Sequence, residues 1–473
     1  MNYGILTILP PIIAIALAFF LKNAVLALSA AALIGCLIMA EGNPLLAFNT
    51  MLDELVTVFS GRWAVIVIIC IALAFGLSKL IETSGAGRGL VQYLTVKHNI
   101  IRSKRGACFL TWSIGIALYI NATLSMMLTG VIMKPINDEM RVSHEKQALL
   151  IKTSGHAACG LIPFGQWGGM LLGLIEAAGV ANASAIVFKV VPVNFYCIIV
   201  IFSQLIFLLL HKDFFGIKKA EQRAEEFGYL DDPDTQEFIQ NQEMKQETGN
   251  SEEKVSSPLL VMLPTLSTIV VAVTYIFISG EGNFMNGDAI GGLFRAIIVS
   301  SILCICMNVI MKVYTLTDTL DIFIKGMGQA MNILVIMVFA LVLGGVISAL
   351  GTGAFLAGVF HSVMSVKILP AVLFVLTCTI GFATGSCMGT ASTMVPIAIS
   401  WAIAAGANLP LSIAAVWSAS FFGDQISPIS DSTYMVCGIT RCNVYNHIKT
   451  AVPYGLMWAG ISLICFIVSG FVL

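Results

Sequence analysis

The sequence predicts an all-α membrane protein built from two inverted repeats, each of about five transmembrane helices plus a re-entrant or interrupted hairpin, with broken helices meeting at the midplane. Three observations carry this. Apolar residues make up 58% of the chain against 11% charged, the two halves match each other in order, and four stretches, Tyr119 to Thr123, Cys159 to Gly169, Gly381 to Thr390 and Gly423 to Thr433, fit broken helices within otherwise apolar runs. Mean hydropathy is +0.92, and runs such as Ile5 to Phe20 and Trp63 to Gly76 recur throughout. A spanning helix needs ~20 mostly apolar residues, so the chain has room for about ten such segments and no large soluble domain.

Candidate helices cover 4–21, 24–41, 63–83, 107–134, an interrupted pair at 147–178, and 185–210. A second series covers 258–279, 289–311, 329–350, 370–405, an interrupted pair at 411–437, and 450–472. The expected units are therefore a first repeat over 1–210, a polar linker over 211–257 and a second repeat over 258–473. Gly76 through Ser84-Gly85-Ala86 matches Gly344 through Thr352-Gly353-Ala354 at a shift of 268. Thr111-x-x-Ile114-Gly115-x-Ala117 matches Thr377-x-x-Ile380-Gly381-x-Ala383 at 266, and Pro163 matches Pro428 at 265. Internal repeats of this size are the signature of a secondary transporter.

Charge sets the expected orientation. The connection after the third helix carries Arg88, Lys97, Arg102, Lys104 and Arg105, which the positive-inside rule puts in the cytoplasm. With 147–178 as a re-entrant hairpin, the linker is also cytoplasmic and both termini lie outside. The expected location is the inner membrane of a prokaryote. The N-terminus has no basic region or small-residue cleavage site, so Ile5 to Leu21 reads as a retained first helix. The 12 cysteines lie mostly in apolar runs without metal or redox spacing, and read as small buried hydrophobes.

The most unusual stretch is Gly423-Asp424-Gln425-Ile426-Ser427-Pro428-Ile429-Ser430-Asp431-Ser432-Thr433. Lipid satisfies neither a freed backbone group nor a bare carboxylate, so polar irregular backbone at membrane depth belongs in protein or beside a wet cavity. Of the chain's 26 acids, 12 fall in residues 211–257 and most others in polar connections, which leaves Asp424 and Asp431 as mid-membrane candidates. Pro428 disfavours helix just before it, so the chain should break near Ser427. The coupling-ion side is expected at Asp424, Ser427, Ser430, Asp431 and Thr433, with sodium at Asp424, Ser427 and Asp431; a carboxylate there can alternatively hold a proton. Asn121, Thr123, Lys152, Gln166, Thr384, Gly385, Ser386 and Thr390 are expected to form the solute side of a central cavity. Lys152 is either a fixed counter-charge or an interfacial snorkelling lysine, and His156 either titrates or packs.

Phe422-Gly423-Asp424-Gln425-x-Ser427-Pro428-x-Ser430-Asp431-x-Thr433 resembles the signature of the NhaC-type sodium/proton antiporter family, within the wider ion-transporter superfamily. Gly130 to Ile136, Ser143 to Lys146, and Leu161-Ile162-Pro163-x-x-x-Trp167-Gly168 resemble that family's first-half pattern. Gly385-Ser386-x-x-Gly389-Thr390 and Met394-x-Pro396-Ile397 resemble its second-half broken helix. The resemblance implies inverted repeats with paired hairpins and sodium- or proton-coupled exchange, in a family that includes pure antiporters and carriers of amino acids or organic acids. Members often carry acids where Asn121, Ala122 and Lys152 stand here, which argues against a second cation site.

The expected function is a sodium- and/or proton-coupled carrier of a small organic solute, an amino acid or organic acid, working by alternating access. A sodium/proton antiporter without organic substrate is the alternative. The expected partners are the lipid bilayer and an ion or small solute, not nucleic acid, and the large apolar faces are compatible with a homodimer. No cofactor is expected; sodium and/or a proton is the expected coupling ion. No metal-ligand set or nucleophile constellation points to an enzyme; Ser154 and His156, two apart on a helix, face different ways.

Overall fold

A computed structural model describes residues 3–21, 23–60, 62–86, 89, 103–232, 256–282, 287–360 and 365–473. The described residues are helical, with turns and short 3-10 segments between helices. In lipid every backbone group has to be satisfied internally, and a helix does this within one segment.

The first half runs through α1 (Leu9–Leu21), α2 (Ala24–Met39), α3 (Pro44–Ser60), α4 (Arg62–Thr83), α5 (Lys104–Ala117), α6 (Ala122–Glu139), α7 (His144–Leu161), α8 (Gln166–Ala177), α9 (Ala183–Val190) and α10 (Phe195–Leu210). After α11 (Phe215–Glu226), the second half runs through α12 (Leu259–Ser279), α13 (Ala289–Ile310), α14 (Leu316–Gln329), α15 (Met331–Leu350), α16 (Thr352–Phe360), α17 (Leu369–Thr384), α18 (Cys387–Ala405), α19 (Leu409–Ile426), α20 (Asp431–Thr440) and α21 (Val444–Val472). Helix starts recur 265 residues apart: Ala24 with Ala289, Lys104 with Leu369, Ala122 with Cys387, His144 with Leu409, and Gln166 with Asp431. Packing recurs with the order. α13 and α14 pack on α4, as α2 and α3 pack on α15. Among the described residues eight helices are long and apolar enough to cross a membrane, or up to ten if each of two bent pairs, α2 with α3 and α7 with α8, is one span.

The span 107–134, expected as one crossing with a broken-helix element at Tyr119 to Thr123, is two helices, α5 and α6, folded back on each other. Asn137 Nδ2 donates to Thr111 Oγ1 at 3.1 Å and Ser125 Oγ to the Gly115 carbonyl at 2.7 Å, so one helix is read forwards while the other is read backwards. α5 has 14 residues, about 21 Å at 1.5 Å per residue, short of the ~30 Å hydrocarbon core. The pair 147–178, expected as re-entrant or interrupted, is α7 running into α8 with a bend of 42°. A chain that bends by so little continues across; it does not return.

Residues 211–232 are correspondingly more than a solvated tether. α11 buries Ile217, Ala220 and Ala224 on one face and packs on α7 and α21. Glu221 accepts from the backbone N–H and hydroxyl of Ser143, at 2.8 and 2.7 Å, and pairs with Lys104 at 2.9 Å and Lys146 at 3.3 Å. Arg223 pairs with Glu145 at 2.9 Å, and His144 with Asp231 at 2.6 Å. The start of α5 and the start of α7 thus meet the same carboxylate, which places both ends of the α5–α6 hairpin on one side. Arg88, Lys97, Arg102 and residues 233–255 lie outside the described residues; Lys104 belongs to this network.

Removing one partner of a buried ion cluster strands the others. Glu221→Ala is expected to reduce stability by about 3 kcal/mol, whereas Glu225→Ala, whose side chain is 63% exposed, is expected to change it by less than about 1 kcal/mol. Thermal unfolding of both variants in detergent checks the contrast.

Candidate functional site

Four irregular points converge from the two halves. α7 breaks at Ile162 and α19 at Ser427, each with extended ψ (114° and 133°) just before a proline, because proline excludes the helical region for its predecessor. The other two points are the tip joining α5 to α6 and its repeat mate joining α17 to α18. α6 is capped by Asn121, whose side chain accepts from Leu124 N at 3.0 Å. α18 is capped by Ser386, accepting from Gly389 N at 3.1 Å. Gly385 adopts φ +63°, and a Cβ there would meet Ile429 Cγ1 at 2.8 Å and Ser430 N at 3.0 Å; this position admits glycine alone.

Tip and break are stitched together in each half. In the first, Gln166 N donates to the Ile120 carbonyl at 3.2 Å and Asn121 Nδ2 to Gln166 Oε1 at 2.8 Å. In the second, Ser427 Oγ donates to the Phe382 carbonyl at 2.8 Å, and α17 meets α19 so closely that a Cβ on Gly423 would lie 2.1 Å from the Gly381 carbonyl carbon.

Beside the second break, Asp424 is 6% exposed. Ser430 Oγ donates to its Oδ1 at 2.5 Å and Ser432 Oγ to its Oδ2 at 2.8 Å. His156 Nδ1 stands 2.9 Å from Oδ2, off the axis of an N–H···O bond, with its ring packed edge-on against Phe421. Lys152, buried, donates to Thr433 Oγ1, which donates onward to the Ser427 carbonyl at 3.1 Å. One carboxylate therefore sits among two hydroxyls and an imidazole, with a lysine close enough to interact electrostatically. Such a nest can stabilise a buried negative charge, or exchange it for a bound cation or proton.

Thr384, Gly385, Ser386, Thr390 and Asp431 line a cleft of about 360 Å³, together with Asn23, Thr393 and the side chains of Ile336 and Ile429. Asp431 is exposed at the start of α20 and lines the cleft, while its neighbours Ser430 and Ser432 bond Asp424. A second space, of about 10 Å³, is lined by Ile71, Ile120, Phe164 and Gln166. Those four are the mates, at the 265-residue spacing, of Ile336, Gly385, Ile429 and Asp431. The space at the broken helices is wide in one half and narrow in the other, with Asn121 and Gln166 bonded beside the narrow one. Thr123 is exposed on α6, and Lys152 lines neither space.

Sequence reasoning missed Ser432 as a partner of Asp424, because the contact spans a break and follows no helical period. It also missed Trp417 Nε1 and Asn194 Nδ2, which both donate to the Gly160 carbonyl at 3.0 Å, and the Tyr196 hydroxyl, which donates to Gln425 at 2.7 Å. Buried donors on apolar helices were the available signal.

Residues 167–471 match the model of the Na+/H+ antiporter family. The chain belongs to this family. A protein of Haemophilus influenzae, itself uncharacterized, is 25% identical over 98% of this chain and 91% of its own length. The malate-2H+/Na+-lactate antiporter of Bacillus subtilis is 34% identical over 19% of each chain. MtrF of Neisseria gonorrhoeae, described among antimetabolite efflux pumps, superposes with a TM-score of 0.61 at 14% identity, covering 97% of this chain and 95% of MtrF. The YdaH transporter of Alcanivorax borkumensis, described as having an unusual topology, gives 0.59 at 17% identity, covering 90% and 89%. At these identities the two structures speak for the fold. The antiporter family and both neighbours are transporters, not enzymes.

If the turn at Gly385 fixes the cleft, Gly385→Ala should destabilise more than Gly406→Ala. Both glycines have positive φ, but nothing lies within 4 Å of a Cβ at Gly406, so that change carries only the left-handed penalty of about 1–2 kcal/mol. Melting temperatures of the two variants in one detergent test the order.

Proposed function

We propose that this antiporter-family chain is a sodium- and/or proton-coupled carrier of a small organic solute, working by alternating access, with Asp424 at the coupling centre. The observation that carries the reading is the pairing of a shut space of about 10 Å³ with an open cleft of about 360 Å³ at equivalent places in the two halves. Exchange of shape between inverted repeats is how such transporters expose one site to alternate faces. The cleft is far larger than a bare ion needs and falls at the small end of organic-ligand pockets, ~300–1,000 Å³.

Asp424, Ser427, Ser430 and Thr433 form the coupling-ion side of this reading, with Ser432 and His156 added. Thr384, Gly385, Ser386 and Thr390 form the solute side, and Asn121 with Gln166 closes the first half. We place the protein in a prokaryotic inner membrane with residues 211–257 in the cytoplasm and both termini outside. The contact of Lys104 and Lys146 with Glu221 on α11 supports a common basic, linker-bearing side.

Sodium/proton exchange without an organic solute is the second reading, favoured by the family description and by a Haemophilus influenzae relative named as an uncharacterized Na+/H+ antiporter, 28% identical over 28% of each chain. Proteoliposomes separate the two. A solute requirement for coupled proton or sodium flux supports the carrier; sodium-driven alkalinisation of solute-free vesicles at full rate supports the antiporter. In either case Asp424→Asn is expected to reduce gradient-driven flux at least tenfold while the protein remains monodisperse in detergent. Wild-type flux in that variant would remove Asp424 from the coupling centre.

A further inference from the structure

Among the described residues the cleft has one charge and no counter-charge. Asp431 projects from the first turn of α20 into it, and no lysine, arginine or histidine lines it among the described residues. On the other side of the break Lys152 donates to Thr433, and His156 Nδ1 stands 2.9 Å from Asp424 Oδ2. The rest of the wall alternates branched aliphatic side chains, Ile336 and Ile429 among them, with the hydroxyls of Thr384 and Thr390, which bond to each other at 3.0 Å and keep acceptor lone pairs free.

A carboxylate in a partly apolar cleft repels a second anion and attracts a cation, and both effects grow as the walls exclude water. An organic dianion entering here would meet Asp431 and, among the described residues, no basic side chain to offset it. An ammonium group would meet a carboxylate and hydroxyl acceptors, with an aliphatic body left to lie against the isoleucines. The repeat mate of Asp431 is Gln166, neutral and bonded to Asn121, so the charge is specific to the open half.

We propose that the solute of this carrier bears a primary ammonium group on a small aliphatic body, and that Asp431 is the side chain that recognises it. The assignment rests on the carrier reading above. It moves Asp431 from the coupling-ion set, where the sequence puts it, to the solute.

Three compounds of nearly one carbon skeleton isolate the charge: isoamylamine, L-leucine and 4-methylvalerate, with malate as a dianion. Purified protein in detergent is melted with each, in potassium chloride and in sodium chloride. Isoamylamine or L-leucine is expected to raise the melting temperature in a saturable way, with 4-methylvalerate and malate without effect. Asp431→Asn should weaken the amine response at least tenfold in half-saturating concentration, and Asp431→Glu should retain most of it. Stabilisation by 4-methylvalerate or malate that persists in Asp431→Asn overturns the charge assignment and leaves the carrier reading standing. A sodium-over-potassium shift that Asp431→Asn removes, with neither amine effective, overturns it by making Asp431 an ion ligand. No response to any of the four compounds, together with sodium/proton exchange in solute-free proteoliposomes, overturns both readings. Correct folding of each variant is read from its monodispersity and from an undiminished unliganded melting temperature, so a lost response is not confused with a lost fold.

Discussion

Everything in this molecule answers to one constraint: a helix interrupted inside an apolar protein leaves carbonyls and N–H groups that no water is there to meet. Each interruption is met by a side chain from another element. The Gly160 carbonyl, just before the Pro163 break, receives both the Trp417 indole and the Asn194 amide. The Phe382 carbonyl, at the end of α17, receives Ser427, and the Ser427 carbonyl receives Thr433. Because donor and acceptor lie on different helices, closing a break also fixes how the helices cross. The polar residues that look like a binding constellation therefore have a prior duty to the backbone.

That duty is divided unequally between the halves. In the first half Asn121 and Gln166 bond to each other, and the space beside them closes. In the second, the mates of those two residues are Ser386 and Asp431, and the space beside them stays open. The difference is chemical as well as steric. An amide pair satisfies itself, whereas a carboxylate beside a hydroxyl still seeks a cation. Asp424, by contrast, has its needs met from within, by Ser430 and Ser432. The two acids of one short stretch thus have different surroundings, although only six residues separate Asp424 from the end of the break at Ser430.

Much of this was legible in the sequence, for reasons that can be named. Pro163 and Pro428 mark their breaks because proline acts on its neighbour whatever the tertiary context. Scarcity of acids pointed to Asp424, since a buried carboxylate is rare enough to stand out. The repeat was legible because glycines at close helix crossings, such as Gly381, cannot be exchanged freely. The hairpin was legible in part. Tyr119 to Thr123 fits a broken-helix element, but the tip, Leu118-Tyr119-Ile120-Asn121, contains neither proline nor glycine, so the run 107–134 still counts as one crossing. Asn121 is a good N-cap residue, but one cap inside an apolar run is a weak signal. The linker misled in the opposite way. Its acids suggested solvation, while the stripe Ile217, Ala220, Ala224 on α11 has the spacing of a docked helix.

α11 has a mechanical consequence. It is the covalent bridge between the halves, yet it grips both: Arg223 holds Glu145 at the start of α7, and the Phe214 backbone exchanges hydrogen bonds with the Tyr454 hydroxyl on α21. Parting α7 from α21 on this side would break those bonds as well as stretch the chain, so the tie between the halves is made by packing and hydrogen bonds and not by the backbone alone.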